Sequence, residues 1–287
     1  GARLLNAARG NLTAVGFIPM KTVYPLDRGV RYLYTSSKPL PPGSLDDLGG
    51  ALDADATTPM ADRNSPMRGF AVPMIFGAIT SQPDPDDPET QRQYNSALML
   101  HPDGRVLGQY EKNYLLVFGE YIPLSDWFPF LKKAIPESAG FSPGNSVEVF
   151  TLGDIRLGVM ICYEDIIPAF TRKLAEKDPD ILVNITNDAW FGKTAEPYLH
   201  LQLATFRSIE NRRYLVRSTN TGVSAFVDPV GRIVQQTGLD DAETLVQDVA
   251  ILRGKTIYQE WGDLFAWASV VLMLAFVGLD CRKYRDT

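Results

Sequence analysis

The sequence predicts a layered α/β domain followed by one hydrophobic C-terminal helix. Three observations predict it. Short apolar runs of strand length alternate with helix-length segments, the pattern of packed α/β layers. Asp-Gly and Gly-Asp pairs join neighbouring runs and signal antiparallel hairpins within the sheets. Residues 264–279 then form a 16-residue stretch without a charge, bracketed by Asp263 and Asp280.

Residues 1–68 are the least regular part, with a Pro/Gly/Asp-rich stretch over 39–55 that reads as loop. Residues 70–79 read as a buried strand and 81–93 as a Pro/Asp loop. Strands over 94–100 and 106–110 flank His101-Pro102-Asp103-Gly104-Arg105, a hairpin signal. A second hairpin is expected where 147–151 and 156–162 meet at Gly153-Asp154. Residues 168–177 read as a helix and 180–186 as another buried strand. Residues 197–213 form a long helix with Leu201, Ala204 and Ile209 at apolar positions. Strands over 214–218 and 223–227 follow. Asp228-Pro229-Val230-Gly231-Arg232 then echoes the first turn, as if one hairpin were used twice.

As a helix, 264–279 spans about 24 Å, slightly short of a ~30 Å hydrocarbon core. A buried core helix and a membrane span are both readings of it. Trp261 and Trp267 suit one membrane interface, and Arg282, Lys283 and Arg285 follow the other end. If the helix spans, the positive-inside rule places the basic tail in the cytoplasm and the main domain on the far side.

Composition excludes several functions. The 287 residues are 45% hydrophobic and 22% charged, a globular balance. A net charge of −6 argues against nucleic acid as a partner. Two cysteines, Cys162 and Cys281, provide no disulfide framework. Two histidines, His101 and His200, argue against a metal site built on several His and Cys, so no metal and no cofactor is expected.

The chemistry concentrates at Cys162. A strand delivers it into Tyr163-Glu164-Asp165, where a turn leads toward a helix. Such an elbow exposes the sulfur and aims the following backbone N–H groups at a bound carbonyl. A core cysteine is the bland alternative. A thiol needs a base or a positive field to react as thiolate. Neither histidine lies in a strong motif, so the better partner is Lys112, which follows a strand and precedes an aromatic-rich loop. A lysine held in such a cleft stabilises a developing oxyanion; most lysines are instead solvated at the surface. Trp127, Phe128, Phe130 and Leu131 cluster beside Pro123 and Pro129, and read either as a core loop or as a loop that enters lipid.

Together these blocks resemble a known family. Tyr110-Glu111-Lys112, then Phe118-Gly119-Glu120-Tyr121-Ile122-Pro123, Cys162-Tyr163-Glu164, Asn187-Asp188-Ala189-Trp190-Phe191-Gly192, Arg207-Ser208-Ile209-Glu210-Asn211 and Asn220-Thr221-Gly222-Val223-Ser224 occur in order. They are similar to the nitrilase-like (carbon–nitrogen hydrolase) domain of apolipoprotein N-acyltransferases, from about Phe70 to the C-terminus. The resemblance implies a nitrilase-like αββα sandwich over 69–258, a transmembrane helix over 261–281, and a basic cytoplasmic tail over 282–287. It implies further membrane helices preceding the domain. It also implies a Glu-Lys-Cys triad that moves a fatty acyl group from a phospholipid to the N-terminal amine of a diacylated apolipoprotein, through a thioester. The implied setting is the bacterial inner membrane, with the domain on its periplasmic side. By resemblance Cys162 is the nucleophile, Lys112 the oxyanion partner, and Glu120 the carboxylate that orients Lys112. Tyr163 and Glu164 shape the site beside the nucleophile.

One member departs from the pattern. The family's base is a glutamate in a Pro-Glu motif after the first strand, and no glutamate precedes Glu89 here. The nearest arrangement is Pro25-Leu26-Asp27, which makes Asp27 the candidate base. Two other readings stand beside acyl transfer: an amidase-type carbon–nitrogen hydrolase with water as acceptor, and an inactive relative lacking the triad glutamate.

Overall fold

The computed structural model describes residues 2–6, 11–17, 24–25 and 73–285, apart from 86, 88, 102–105, 126, 129, 131–139, 240 and 242. Two β-sheets face each other. The first holds β1 (Ala2–Asn6), β2 (Asn11–Phe17), β3 (Tyr24–Pro25), β4 (Met74–Pro83), β5 (Gln91–Leu100) and β6 (Val106–Glu111), with β13 (Val246–Asp248) at one edge. Its order is β13-β1-β2-β4-β5-β6, and β3 also pairs with β4. The second holds β7 (Val149–Leu152), β8 (Ile155–Ile161), β9 (Ile181–Thr186), β10 (Tyr214–Thr219), β11 (Ala225–Val227) and β12 (Ile233–Gln236), ordered β12-β11-β10-β9-β8-β7.

The middle of the second sheet explains its sequence. β9 runs parallel to both β8 and β10, and all six of its residues are buried. A strand covered on both faces needs apolar side chains at successive positions, which Ile181, Leu182, Val183 and Ile185 supply. One cover is the first sheet, whose β2 and β4 lie against β9. The other is helical: α1 (Pro168–Ala175) contributes Phe170 and Leu174, and α2 (Glu196–Asn211) contributes Leu201 and Ala204, to the same core. Each such fully buried side chain is worth roughly 1.5–3 kcal/mol. Gly158 lets α1 approach β8, because a Cβ there would stand 3.1 Å from the Leu174 side chain.

Most expected elements occur within a few residues of their predicted bounds. β7 and β8 form the hairpin at Gly153, whose φ of +59° suits glycine. β11 and β12 form the hairpin of the echoed Asp228–Arg232 turn, with Asp228 Oδ1 accepting from the N–H groups of Val230 and Arg232. β5 and β6 pair as the first, though its turn residues lie outside the described ones. The strand expected over 70–79 is displaced. β4 runs to Pro83 because β5 pairs along its whole length, from Met74↔Leu100 to Pro83↔Gln91. That ladder draws part of the expected 81–93 loop into the sheet. Within 1–68, where irregular chain was expected, β1 and β2 form an antiparallel pair, and β2 also runs parallel to β4.

After α3 (Ile257–Trp261), Gly262 breaks the chain at φ +56° and α4 (Leu264–Arg285) begins. Among the described residues no helix is long and apolar enough to cross a membrane. The charge-free stretch of α4 runs for 16 residues, from Leu264 to Leu279. Its described side chains are exposed and, Ser269 apart, apolar, Phe265, Trp267, Val271 and Phe276 among them.

Candidate active site

The site lies where the ends of β6 and β8 meet. β8 stops at Ile161 because the Ile161 N–H, which would continue the ladder, donates to Glu164 Oε2 at 2.8 Å. The chain turns at once into a 3₁₀ segment, Cys162–Ile166. Cys162 carries the turn with φ +51°, a left-handed conformation that costs a non-glycine residue on the order of 1 kcal/mol. Its thiol is free and half-buried. The first N–H groups of such a turn have no partner within it, so they are available to an oxygen bound beside the sulfur.

Lys112 leaves the end of β6 with its side chain 1% exposed. Its backbone is tied on both sides: the N–H donates to Asn95 O, and the carbonyl accepts from the Gly144 N–H, each at 2.8 Å. Nζ donates to Glu120 Oε2 at 2.6 Å. Glu120 is itself fixed, accepting from Asn95 Nδ2 at 2.7 Å and from the Leu116 N–H at 2.7 Å. Burial opposes charge on Lys112. Its electrostatic interactions with Cys162 and the Glu120 carboxylate outweigh it, holding the ammonium above the ordinary lysine range.

Glu164 joins the two halves. Its Oε1 accepts from Tyr110 Oη at 2.6 Å and from the N–H groups of Asn113 and Tyr114 at 2.8 and 3.1 Å, while Oε2 takes the Ile161 N–H. One buried carboxylate thus ties the segment carrying Lys112 to the turn carrying Cys162. Burial raises its pKa, against the lowering effect of these donors. Tyr163 is exposed beside the nucleophile.

Gly144 permits this junction. A Cβ there would stand 2.3 Å from the Glu111 carbonyl oxygen, a backbone atom that cannot swing away. Gly144→Ala is expected to cost about 1–3 kcal/mol by overpacking. It should slow any reaction at Cys162 more than the loss of thermal stability suggests, because the displaced Glu111 carbonyl belongs to the peptide bond that leads into Lys112. Thermal melts and single-turnover rates on the same preparation check this.

Beneath the nucleophile lies a buried quartet of charges that the sequence did not reveal. His200, which lies in no strong sequence motif, stands between two carboxylates, with Nε2 2.8 Å from Asp165 Oδ1 and Nδ1 3.0 Å from Asp188 Oδ1. Arg217 bridges the same pair, reaching Asp165 Oδ2 through Nη1 and Asp188 Oδ2 through Nη2, the latter at 3.0 Å. Two cations and two anions balance, as burial requires. An arginine at a fully buried β10 position, between Val216 and Ser218, was the legible signal, since a buried charge must have a partner.

Burial alone would push the His200 imidazole down. Asp165 and the hydrogen bonds to both aspartates overcome it and raise the pKa to about 10, while the same contacts hold Asp188 below the usual carboxylate range. The raised imidazole stabilises the fold fully below its ordinary pKa of 6.5, and that contribution is lost as pH rises through about 10. Between those limits stability is expected to fall by about 1.4 kcal/mol per pH unit. Urea unfolding at several pH values should show this slope, and His200→Gln should flatten it.

Of the residues expected at the site, Cys162, Lys112, Glu120, Tyr163 and Glu164 are brought together. Asp27 lies outside the described residues, as does Leu131 of the aromatic loop. Trp127, Phe128 and Phe130 are exposed, as are Phe118 and Leu124 nearer the lysine. Among the described residues no group of acidic, histidine and cysteine side chains could hold a metal ion.

Residues 67–256 match the carbon–nitrogen hydrolase family. The chain is 38% identical over 218 residues to the apolipoprotein N-acyltransferase of Geobacter metallireducens, covering 74% of this chain and 42% of that protein. It is 42% identical over 233 residues to the apolipoprotein N-acyltransferase of Bdellovibrio bacteriovorus, covering 77% of this chain and 42% of that protein. The chain therefore spans less than half the length of these relatives. Among solved structures, an amidase from Nesterenkonia sp. aligns with 22% identity and a TM-score of 0.42, over 60% of this chain and 59% of that one.

Proposed function

The chain belongs to the carbon–nitrogen hydrolase family, and we propose that it is the catalytic domain of an N-acyltransferase. In this reading it moves a fatty acyl group from a phospholipid to the N-terminal cysteine amine of a diacylated apolipoprotein. The observation that carries the reading is the buried Lys112–Glu120 pair beside Cys162. An ammonium held there, dry and immobile, is placed to stabilise an oxyanion at the moment it forms.

The steps balance without a cofactor. The Cys162 sulfur attacks the ester carbonyl of the phospholipid as a carboxylate takes the thiol proton; the sequence offers Asp27 for that role. Lys112 and the turn N–H groups hold the tetrahedral oxyanion, and Glu120 keeps Lys112 oriented. The oxyanion collapses, the C–O bond breaks, and the lysophospholipid alcohol leaves with the proton. The acceptor amine then attacks the thioester, the C–S bond breaks, and the thiol is restored. Tyr163 shapes the mouth of the site and Glu164 holds its two halves in register.

The exposed apolar surfaces support a membrane setting. Trp127, Phe128 and Phe130 form one patch and the described length of α4 another, and apolar patches of this kind need cover. We place α4 in the bilayer of a bacterial inner membrane, its short apolar length accommodated by local thinning and by basic residues reaching the interface. The domain then stands on the periplasmic side as an αββα sandwich.

The test supplies phospholipid vesicles and a diacylated lipopeptide with a free N-terminal cysteine. N-acylated peptide and lysophospholipid are expected in equal amounts. Release of ammonia from simple amides, with no acylated peptide, would instead identify an amide hydrolase.

A further inference from the structure

We propose that Asn184 is a positioning residue for the nucleophile, and that the Asp165–His200–Asp188–Arg217 quartet is the frame that holds it. The inference rests on reading Cys162 as the residue that is acylated. Asn184 is fully buried in β9, between β8 and β10. Its Nδ2 donates to the Cys162 carbonyl oxygen at 3.2 Å. Its Oδ1 accepts from Arg217 Nη1 at 3.0 Å. The two ends of the side chain therefore act in different directions. The amide nitrogen grips the nucleophile's own peptide, and the amide oxygen is anchored to the frame.

The consequence follows from peptide geometry. In a trans peptide the carbonyl and the N–H point in opposite directions. Holding the Cys162 carbonyl inward toward Asn184 turns the N–H of Tyr163 outward, toward the space beside the sulfur. Cys162 sits at φ +51°, a conformation that persists only when its surroundings hold it. Asn184 supplies that hold from one side, and the Glu164 bond to the Ile161 N–H supplies it from the other.

The frame explains why the grip is stiff. Asp165 belongs to the same 3₁₀ segment as Cys162, so His200 and Arg217 fasten one end of the turn to α2 and β10 while Asn184 holds the Cys162 end. Asp188 extends the frame to the segment that carries the exposed Trp190. Both ring nitrogens of His200 face carboxylate oxygens, so both carry protons and the ring is a fixed cation, not a base.

The test separates oxyanion-dependent from oxyanion-independent chemistry at one sulfur, using the full chain. Acylation by a p-nitrophenyl ester passes through a tetrahedral oxyanion. Alkylation by iodoacetamide displaces iodide and forms none. In Asn184→Ala the ester burst rate is expected to fall by about 10²-fold, the scale of a small misplacement of reacting groups. The iodoacetamide rate should stay within about threefold of the original protein, an order-of-magnitude tolerance for an unchanged sulfur. Asn184→Leu, which fills the space without a polar group, should give the same split. Parallel changes in both rates, an unchanged ester rate, or failure of both variants to fold would overturn the proposal. A protein acylated by the ester but never by phospholipid would sink the proposed function, while the ester arm would still decide the role of Asn184.

Discussion

Replacing Lys112 by methionine is expected to slow acylation of Cys162 by at least about 10²–10³-fold, the effect of deleting one oxyanion donor from a preorganised site. The loss should fall on the rate of the chemical step and leave donor binding little changed, because Lys112 is buried and held by Glu120 within electrostatic reach of Cys162. The substitution also strands the Glu120 carboxylate, which then keeps, among the described residues, the Asn95 and Leu116 donors. Breaking one half of a buried pair costs about 3–5 kcal/mol. The double substitution Lys112→Met/Glu120→Gln separates the two effects: it should recover most of the stability and none of the rate. Lys112→Arg should not restore activity, since the planar guanidinium fork cannot occupy the position of a compact ammonium. Single-turnover acylation and urea unfolding measure both outcomes.

Glu164→Ala is expected to be the most damaging change that leaves the reacting groups themselves in place. It removes the acceptor for the Tyr110 hydroxyl and for the N–H groups of Ile161, Asn113 and Tyr114. Each buried donor left without an acceptor costs roughly 1–3 kcal/mol, partly offset because a buried charge is also removed. A net loss of about 3–5 kcal/mol follows. Acylation should fall with it, because the segments carrying Lys112 and Cys162 lose their shared tie. Glu164→Gln, which turns one acceptor oxygen into a donor group, should lie between the original protein and Glu164→Ala. A loss below about 1 kcal/mol in urea unfolding would show that the junction is held by packing alone.

Much of the site was legible because it is local in sequence. Cys162 follows a strand and opens a turn, and Lys112 follows a strand, whereas Glu120, eight residues beyond Lys112, was expected from the resemblance alone. The β7–β8 hairpin was equally local, written in Gly153-Asp154. The quartet was not legible in this way. Arg217 and Asp165 are separated by 52 positions, and His200 and Asp165 by 35. Only the folding of β8, β10 and α2 onto one another makes them neighbours. The extension of β4 through Ser81, Gln82 and Pro83 was hidden for a related reason. Those residues have no strand character of their own, and the ladder to β5 imposes it.

The central claim, that Cys162 is acylated by lipid, is tested most directly by intact-mass measurement after incubation with phospholipid vesicles. One acyl group per chain is predicted, mapped to Cys162, released by hydroxylamine, and absent from Cys162→Ala. An unmodified protein, or an adduct that survives in Cys162→Ala, would contradict it.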